Sequence, residues 1–272
     1  MTLHHEVAGD GPALVLVHAG ICDSRMWDDQ WRSFTGTHRV LRYDMRGYGR
    51  SPLPPEPYSN GRDLLDVMDA AGIERAALVA VSLGGSVALE VALAEPARVS
   101  ALVAVGAGLP GHEWSAAARE FFDAEDSAID RGDLDAATEL NVRFWVDGPH
   151  RAPDQVEASV RERVRAMQRR AFDLQVDTWE RAEQRPLVSD LAVRLAEIDQ
   201  PTLVLVGADD QPDIRTIADQ LARTLPHAGF ESIPDAAHVP NMERPEVFDR
   251  LVRAFLSAPA SASARSRPSR DS

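Results

Sequence analysis

Short, unbroken apolar runs punctuate the first hundred residues. Ala13-Leu14-Val15-Leu16-Val17, Ala76-Ala77-Leu78-Val79-Ala80-Val81 and the stretch Val99 to Val105 are continuous and of strand length. Such runs read as strands buried on both faces of a sheet. Two more polar segments, His4 to Ala8 and Arg39-Val40-Leu41-Arg42-Tyr43, read as further strands. Between them the periodicity becomes helical. Arg62 to Ala71 sets Leu64, Leu65, Val67 and Met68 on one face and stops at Gly72, a C-cap position. Ser86 to Leu93 follows the strand at 76–81 almost at once and reads as a second helix. Strands alternating with helices predict a mostly parallel sheet with right-handed crossovers.

The alternation stops near residue 110. Ser115 to Arg131 and Asp133 to Val146 read as helices, and Gln155 to Glu183 as one long Arg-rich amphipathic helix or two shorter ones. The earlier pattern returns at Pro201-Thr202-Leu203-Val204-Leu205-Val206, with a helix over Thr216 to Thr224, a last strand over Gly229 to Ile233 and a closing helix from Pro245 to Leu256. The expected organisation is therefore one α/β core domain, 1–109 and 199–256, with a helical cap inserted at 110–198. The tail, 257–272, is Ala, Ser, Arg and Pro without core-forming residues and is expected to be disordered.

Composition narrows the function. A net charge of −14 argues against nucleic acid or an anionic membrane as partner. All 29 basic residues are Arg, which reads as genomic base composition rather than chemistry. Cys22 is the single cysteine and cannot form an internal disulfide, so a cytoplasmic location is expected. Met1 to Glu6 lacks the basic and apolar regions of a signal peptide, and no apolar stretch reaches the ~18 residues of a membrane span.

The candidate chemistry begins at Ser82. It stands where the strand at 76–81 meets the following helix, with Ala80 two residues before it and Gly84 two after. A nucleophile elbow needs that context, because the turn is sharp and bulky neighbours would collide. The turn lifts the hydroxyl above the sheet, and the Leu83 N–H points at the same space. Asp210 and His238 follow, each at the end of a later strand. Nucleophile, acid, histidine is a known chain order for a catalytic triad. Serine is a weak nucleophile that needs a base, histidine supplies one, and a carboxylate fixes its tautomer. Asp209 and Asp213 crowd the same loop as Asp210. Spacing from Gly207 favours Asp210, with the other two as solvated carboxylates or a helix cap.

The chain resembles the α/β-hydrolase superfamily at five stretches in register. These are His18-Ala19-Gly20, Asp44-Met45-Arg46-Gly47-Tyr48-Gly49-Arg50-Ser51, the elbow around Ser82, Gly207-Ala208-Asp209-Asp210, and Ala237-His238 running on to Glu243-Arg244-Pro245. The resemblance implies an α/β-hydrolase fold with a helical cap, and a second oxyanion N–H from Gly20, with Ile21 as the alternative. His18 and the 44–51 loop read as structural, with Arg46 pairing locally. Cys22 reads as a small buried filler, and His4-His5 as no metal site. The Arg161 to Arg185 run reads as a solvated face balancing local acids. Trp114, Phe121, Phe122, Trp145 and Trp179 read mainly as cap core. Ile21, Trp114, Trp145 and Val239 are the candidate substrate contacts.

The expected function is serine hydrolysis of a small-molecule carboxylic ester or lactone through an acyl-enzyme. No metal or organic cofactor is expected, and the chain is expected to be a monomer or homodimer. A carbon–carbon bond hydrolase would use the same triad but needs pocket arginines such as Arg25 and Arg143. A cofactor-free perhydrolase or haloperoxidase would share the site geometry. A hydrolase-fold ligand-binding protein without turnover is the rival from another class. Dehalogenase and epoxide hydrolase readings need an Asp where Ser82 stands.

Overall fold

A computed structural model describes residues 3–178 and 181–258. Seven strands form one sheet: β1 His5–Ala8, β2 Ala13–Val17, β3 Arg39–Tyr43, β4 Ala76–Val81, β5 Val99–Val105, β6 Thr202–Gly207 and β7 Ala228–Ile233. Their order across the sheet is β1-β3-β2-β4-β5-β6-β7. β1 runs antiparallel to β3, and every other pair is parallel. The continuous apolar runs account for the centre. In β2, Val15 and Val17 enter one hydrophobic cluster, while Leu14 and Leu16 enter the cluster on the opposite face. The period-2 alternation of side chains therefore puts apolar surface on both sides, and helices cover both.

The helices are α1 Asp28–Phe34, α2 Asn60–Ala70, α3 Leu83–Ala94, α4 Ala116–Asp130, α5 Leu134–Asn141, α6 Ala158–Gln175, α7 Leu191–Arg194, α8 Pro212–Thr224, α9 Pro240–Glu243 and α10 Pro245–Ser257. α3 has no polar stripe and is buried from Gly84 to Ala92, as a helix pressed against the middle of a sheet must be. α4, α5 and α6 lie in the chain between β5 and β6. Among the described residues no helix is long and apolar enough to cross a membrane.

Several boundaries differ from the sequence reading. The long Arg-rich helix spans 158–175, not 155–183. Residues 176–178 form a turn, and further on an isolated parallel bridge joins Gln184 to Tyr58, with the Tyr58 N–H donating to the Glu183 carbonyl and the Arg185 N–H to the Tyr58 carbonyl. The helix expected over 133–146 is α-helical only to Asn141 and continues as a π-helix, Val142–Asp147. The carbonyls of residues 144 to 147 accept bonds from Gln211, His238 and Arg151, so they serve partners outside the helix. α8 begins at Pro212, four residues early, with proline in the first turn where its missing N–H costs nothing. The closing helix reaches Ser257, one residue into the expected tail, and 259–272 lie outside the described residues, as does Trp179.

Candidate active site

Ser82 occupies the turn between β4 and α3 with φ 56° and ψ −116°, a region that residues other than glycine avoid. Three backbone bonds hold it there. Its N–H donates to the Val105 carbonyl at 2.9 Å, and its own carbonyl accepts from Ser86 and Gly108, each at 3.1 Å. The small neighbours are sterically required. A Cβ on Gly84 would lie 2.5 Å from the His18 carbonyl oxygen and 2.7 Å from that of Val17. A Cβ on Gly85 would lie 2.6 Å from the Ala107 Cβ. Ser82 itself is half-buried.

Leu83 opens α3, so its N–H belongs to the first turn, where no intrahelical acceptor exists. Gly20 lies against it: a Cβ there would be 3.5 Å from the Leu83 Cβ and 3.6 Å from the Tyr48 hydroxyl oxygen. Among the described residues, no acceptor is found for the N–H groups of Gly20 and Ile21. His18 sets this loop. Its Nε2 accepts from the Met45 N–H at 2.9 Å, so Nδ1 carries the proton and donates to the Ala19 carbonyl at 2.8 Å. Burial lowers the pKa of this ring, which favours that neutral form.

Asp210 follows β6 and His238 follows β7. The His238 Nδ1 lies 3.0 and 3.2 Å from the two Asp210 carboxylate oxygens, and both residues are almost fully buried. A carboxylate only accepts, so Nδ1 donates and Nε2 is left as a base. The Gln211 N–H also donates to Asp210, at 2.8 Å. Gly106, directly after the Val105 that anchors Ser82, touches this pair. With φ +46°, a Cβ there would meet an Asp210 oxygen at 3.2 Å and the His238 Nδ1 at 3.3 Å. The pair and Ser82 thus stand at the same, carboxyl, end of the sheet, with β5 between the strand that carries Ser82 and the one that carries Asp210.

The neighbouring acids do other work. Asp213 accepts from the Ser115 N–H at 2.8 Å, the Ser115 hydroxyl at 2.6 Å and the His112 Nε2 at 3.1 Å. Burial pushes its carboxyl up, but the bonds from Ser115 and His112 outweigh that and hold it below the ordinary carboxylate range. Asp209 lies 4.0 Å from the Arg151 guanidinium.

Of the candidate substrate contacts, Trp145 reaches the histidine, with ring centroids 4.5 Å apart. Trp114 packs edge-on against His112 and Phe122. Ile21 and Val239 are buried in the apolar cluster on one face of the sheet. Phe121 stacks on Phe144 at 4.1 Å, and Trp145 meets both rings edge-on.

Other expectations resolve as follows. Arg46 does not pair locally. It forms a two-pronged bond at 2.6 and 2.7 Å with Asp63, one turn into α2, because the 44–51 loop folds back onto that helix. The loop itself is pinned by Asp44, whose oxygens accept from the N–H groups of Ser24 and Arg50. Much of the Arg run pairs with carboxylates, Arg161 with the buried Asp147, Arg163 with Asp29, Arg165 with Glu139 and Arg169 with Asp135, while Arg170 and Arg181 donate to the carbonyls of Gly49 and Asp177. Arg25 is held by Asp23, and Arg143 by the carbonyls of Gly148 and Arg151, so neither is free for a substrate carboxylate. Cys22 is buried and its thiol is pushed up by burial, which suits a filler. Among the described residues, no cluster of three or more His, Cys, Asp or Glu could hold a metal ion.

Several site neighbours escaped the sequence reading. Gln211 gave no local signal, and Tyr48 stood inside the 44–51 motif with nothing to mark what it would touch. Arg151 looks like any other arginine of the helical block. Glu243 was visible inside a motif, but only folding reveals what it touches.

A family model described as the alpha/beta hydrolase fold matches residues 12–245. The protein named "Putative carbamate hydrolase RutD" in Variovorax paradoxus strain S110 is 32% identical over 280 residues, covering 94% of this chain and 97% of its own. The 3-oxoadipate enol-lactonase 1 of Acinetobacter baylyi is 26% identical over 262 residues, covering 94% of each. Among solved structures, a thermophilic esterase from Thermogutta terrifontis superposes with a TM-score of 0.75 at 26% identity, covering 93% of this chain and 92% of its own.

Proposed function

The chain belongs to the alpha/beta hydrolase family and is a hydrolytic enzyme, and from that premise we propose that it cleaves small carboxylic esters or lactones with Ser82 as nucleophile. The observation supporting this reading is the strained, half-buried Ser82 at the same end of the sheet as a buried Asp210–His238 pair, with Gly106 at the end of the intervening β5 in contact with that pair.

In this reading His238 Nε2 takes the Ser82 proton as the hydroxyl oxygen attacks the carbonyl carbon. Asp210 holds the ring by Nδ1 and stabilises the imidazolium that forms. The developing oxyanion is met by the N–H groups of Leu83 and Gly20, both set before the reaction begins, so little reorganisation is needed. The start of α3 adds its partial positive charge. His238 then gives its proton to the leaving alkoxide. In a lactone that alkoxide stays tethered to the acyl group. Water, deprotonated by His238, releases the acid from Ser82. Residues 110–198 act as the cap, their aromatic cluster supplying an apolar wall through Trp145.

The ester and lactone reading is preferred over carbon–carbon cleavage because Arg25 and Arg143 are engaged elsewhere. A carbamate is the second substrate class, favoured by the similarity to the RutD protein; the same attack on a carbonyl would serve it. Intact mass after fluorophosphonate treatment tests the mechanism. A single adduct on Ser82, much slower in His238→Ala, is expected. A folded protein that takes no adduct on Ser82 overturns the assignment and brings the ligand-binding reading forward.

A further inference from the structure

His238 and Asp210 are not held by the sheet alone. The π-helical segment Val142–Asp147 lies directly on the two loops that carry them. The His238 N–H donates to the Trp145 carbonyl at 3.2 Å, and the Trp145 ring covers the imidazole. Gln211, next to Asp210, donates its side-chain amide to the Phe144 carbonyl at 2.6 Å. The segment ends at Gly148, φ +75°, where a Cβ would lie 2.4 Å from the Asp209 carbonyl oxygen. π-helical segments are rare and concentrate at functional sites.

One guanidinium joins these pieces. Arg151 donates to the carbonyls of Val146 at 2.6 Å and Asp147 at 2.9 Å, which are the end of the π segment. It reaches the Asp235 carbonyl at 3.4 Å and pairs with Glu243 at 2.7 Å. The other Glu243 oxygen accepts the Ala237 N–H at 2.8 Å, one residue before His238. The Glu243 side chain is 4% exposed and that of Arg151 12%, so the pair is largely shielded from water. Asp235 turns the loop with φ 52°, a left-handed conformation that aspartate adopts more readily than most residues. Burial pushes the Glu243 carboxyl up, against the pull of Arg151.

We propose that Arg151 is a positioning residue of the hydrolytic reaction, locking the helical block to the loop of His238 through Glu243 so that the imidazole is aimed at Ser82. Arg151 touches no reacting atom. It acts by fixing the Asp235–His238 loop from one side while the Trp145 carbonyl and ring fix it from the other. The block is therefore part of the catalytic frame at this root, whatever its outer helices do over the substrate. Lysine cannot replace this arrangement, since one ammonium cannot match a planar fork that spans three carbonyls and a carboxylate.

The proposal rests on the Ser82 reading, and the test separates the two. Fluorophosphonate capture and steady-state hydrolysis of p-nitrophenyl acetate are measured on wild type, Arg151→Met, Arg151→Lys and the double variant Arg151→Met/Glu243→Gln. Glutamine keeps an acceptor for the Ala237 N–H and removes the unpaired buried charge, so the double variant folds even where Arg151→Met is too unstable. Thermal unfolding is followed in parallel, with Arg169→Met as the surface control. Misaiming a catalytic group by about 1 Å costs on the order of 10²-fold. The expected result is a loss of roughly that size in kcat and in capture rate for Arg151→Met, with KM little changed and Arg151→Lys in between. The double variant regains thermal stability yet stays slow. Recovery of kcat together with stability in the double variant would show a merely structural pair and overturn the proposal. Wild-type rates in Arg151→Met overturn it as well. Absence of a Ser82 adduct on wild type itself identifies the failure as that of the underlying mechanism, and the positioning role falls with it.

Discussion

The two sides of the candidate site are built by different physics. On the Ser82 side, backbone geometry does the holding: a positive φ, three main-chain hydrogen bonds, and glycines whose absent Cβ atoms leave room for β2 and β5. On the His238 side, side chains do it: the Asp210 carboxylate, the Glu243–Arg151 pair, the Trp145 ring and the Gln211 amide. The first kind tolerates almost no added atom but needs little from distant residues. The second tolerates small changes of volume but depends on partners far along the chain, from the helical block as much as from the core. The difference follows from sequence distance. Ser82 is fixed by residues of neighbouring strands in one continuous sheet. His238 sits in a loop after the edge strand β7 and has no further strand to lean on.

The largest effect should come from the chemistry itself. Ser82→Ala is expected to lower kcat by roughly 10⁴-fold or more while the thermal midpoint changes little, since the reactive oxygen goes and the fold stays. Retained esterase activity in the folded variant would remove the Ser82 assignment. Next comes a purely steric break on the same side. Gly84→Ala drives a Cβ into two backbone carbonyls of β2 and its end, and should cost about 3 kcal/mol in urea unfolding. A loss below about 1 kcal/mol would mean that the turn yields and is not sterically fixed.

Gly106→Ala probes the junction of the two sides. Its positive φ costs roughly 1–2 kcal/mol, and the new methyl presses on the Asp210–His238 pair. Activity should fall about 10-fold beyond what the lost stability explains, and a fall in stability alone would argue that the pair accommodates the methyl. Asp213→Asn sharpens the account of the helical block. The Asp213 carboxyl is held low in the folded protein, so its contribution is present above the ordinary carboxylate pKa and is lost as pH falls through the folded value. The variant should therefore be about 1 kcal/mol less stable at pH 7 and indistinguishable from wild type in strong acid. A difference that persists unchanged into acid would exclude the charge as its cause. The smallest effect belongs to the exposed face: Arg169→Ala should change stability by at most about 0.5 kcal/mol, because solvent and salt screen its pairs with Asp135 and Asp173. A loss of several kcal/mol would show that this arginine network is cooperative.

Much of this was legible in the amino acids alone. The runs at 13–17, 76–81 and 99–105 announce buried strands because a parallel sheet covered on both faces needs apolar side chains at every position. Ser82, with Ala80 before it and Gly84 and Gly85 after it, announces the turn because no larger residue fits there. These features are local, and local sterics are written in consecutive residues. The end of the Arg-rich helix at Gln175 was not legible, because residues 183–185, expected to be helical up to Glu183, are claimed by a pairing with Tyr58 more than a hundred residues away. The choice of Asp210 over its neighbours also waited for folding. Spacing favoured it, but only the convergence of β6 and the loop after β7 brings its carboxylate to the imidazole and sends Asp213 to Ser115. Arg151 was the most hidden of all. An arginine among many carries no signal in the chain, and its five neighbouring groups come from three separate segments. Sequence determined what can be imposed by the shape and polarity of adjacent residues. Tertiary structure decided which distant charges meet, because the strength of a buried ion pair depends on distance and solvent exclusion, and neither exists until the chain has closed around it.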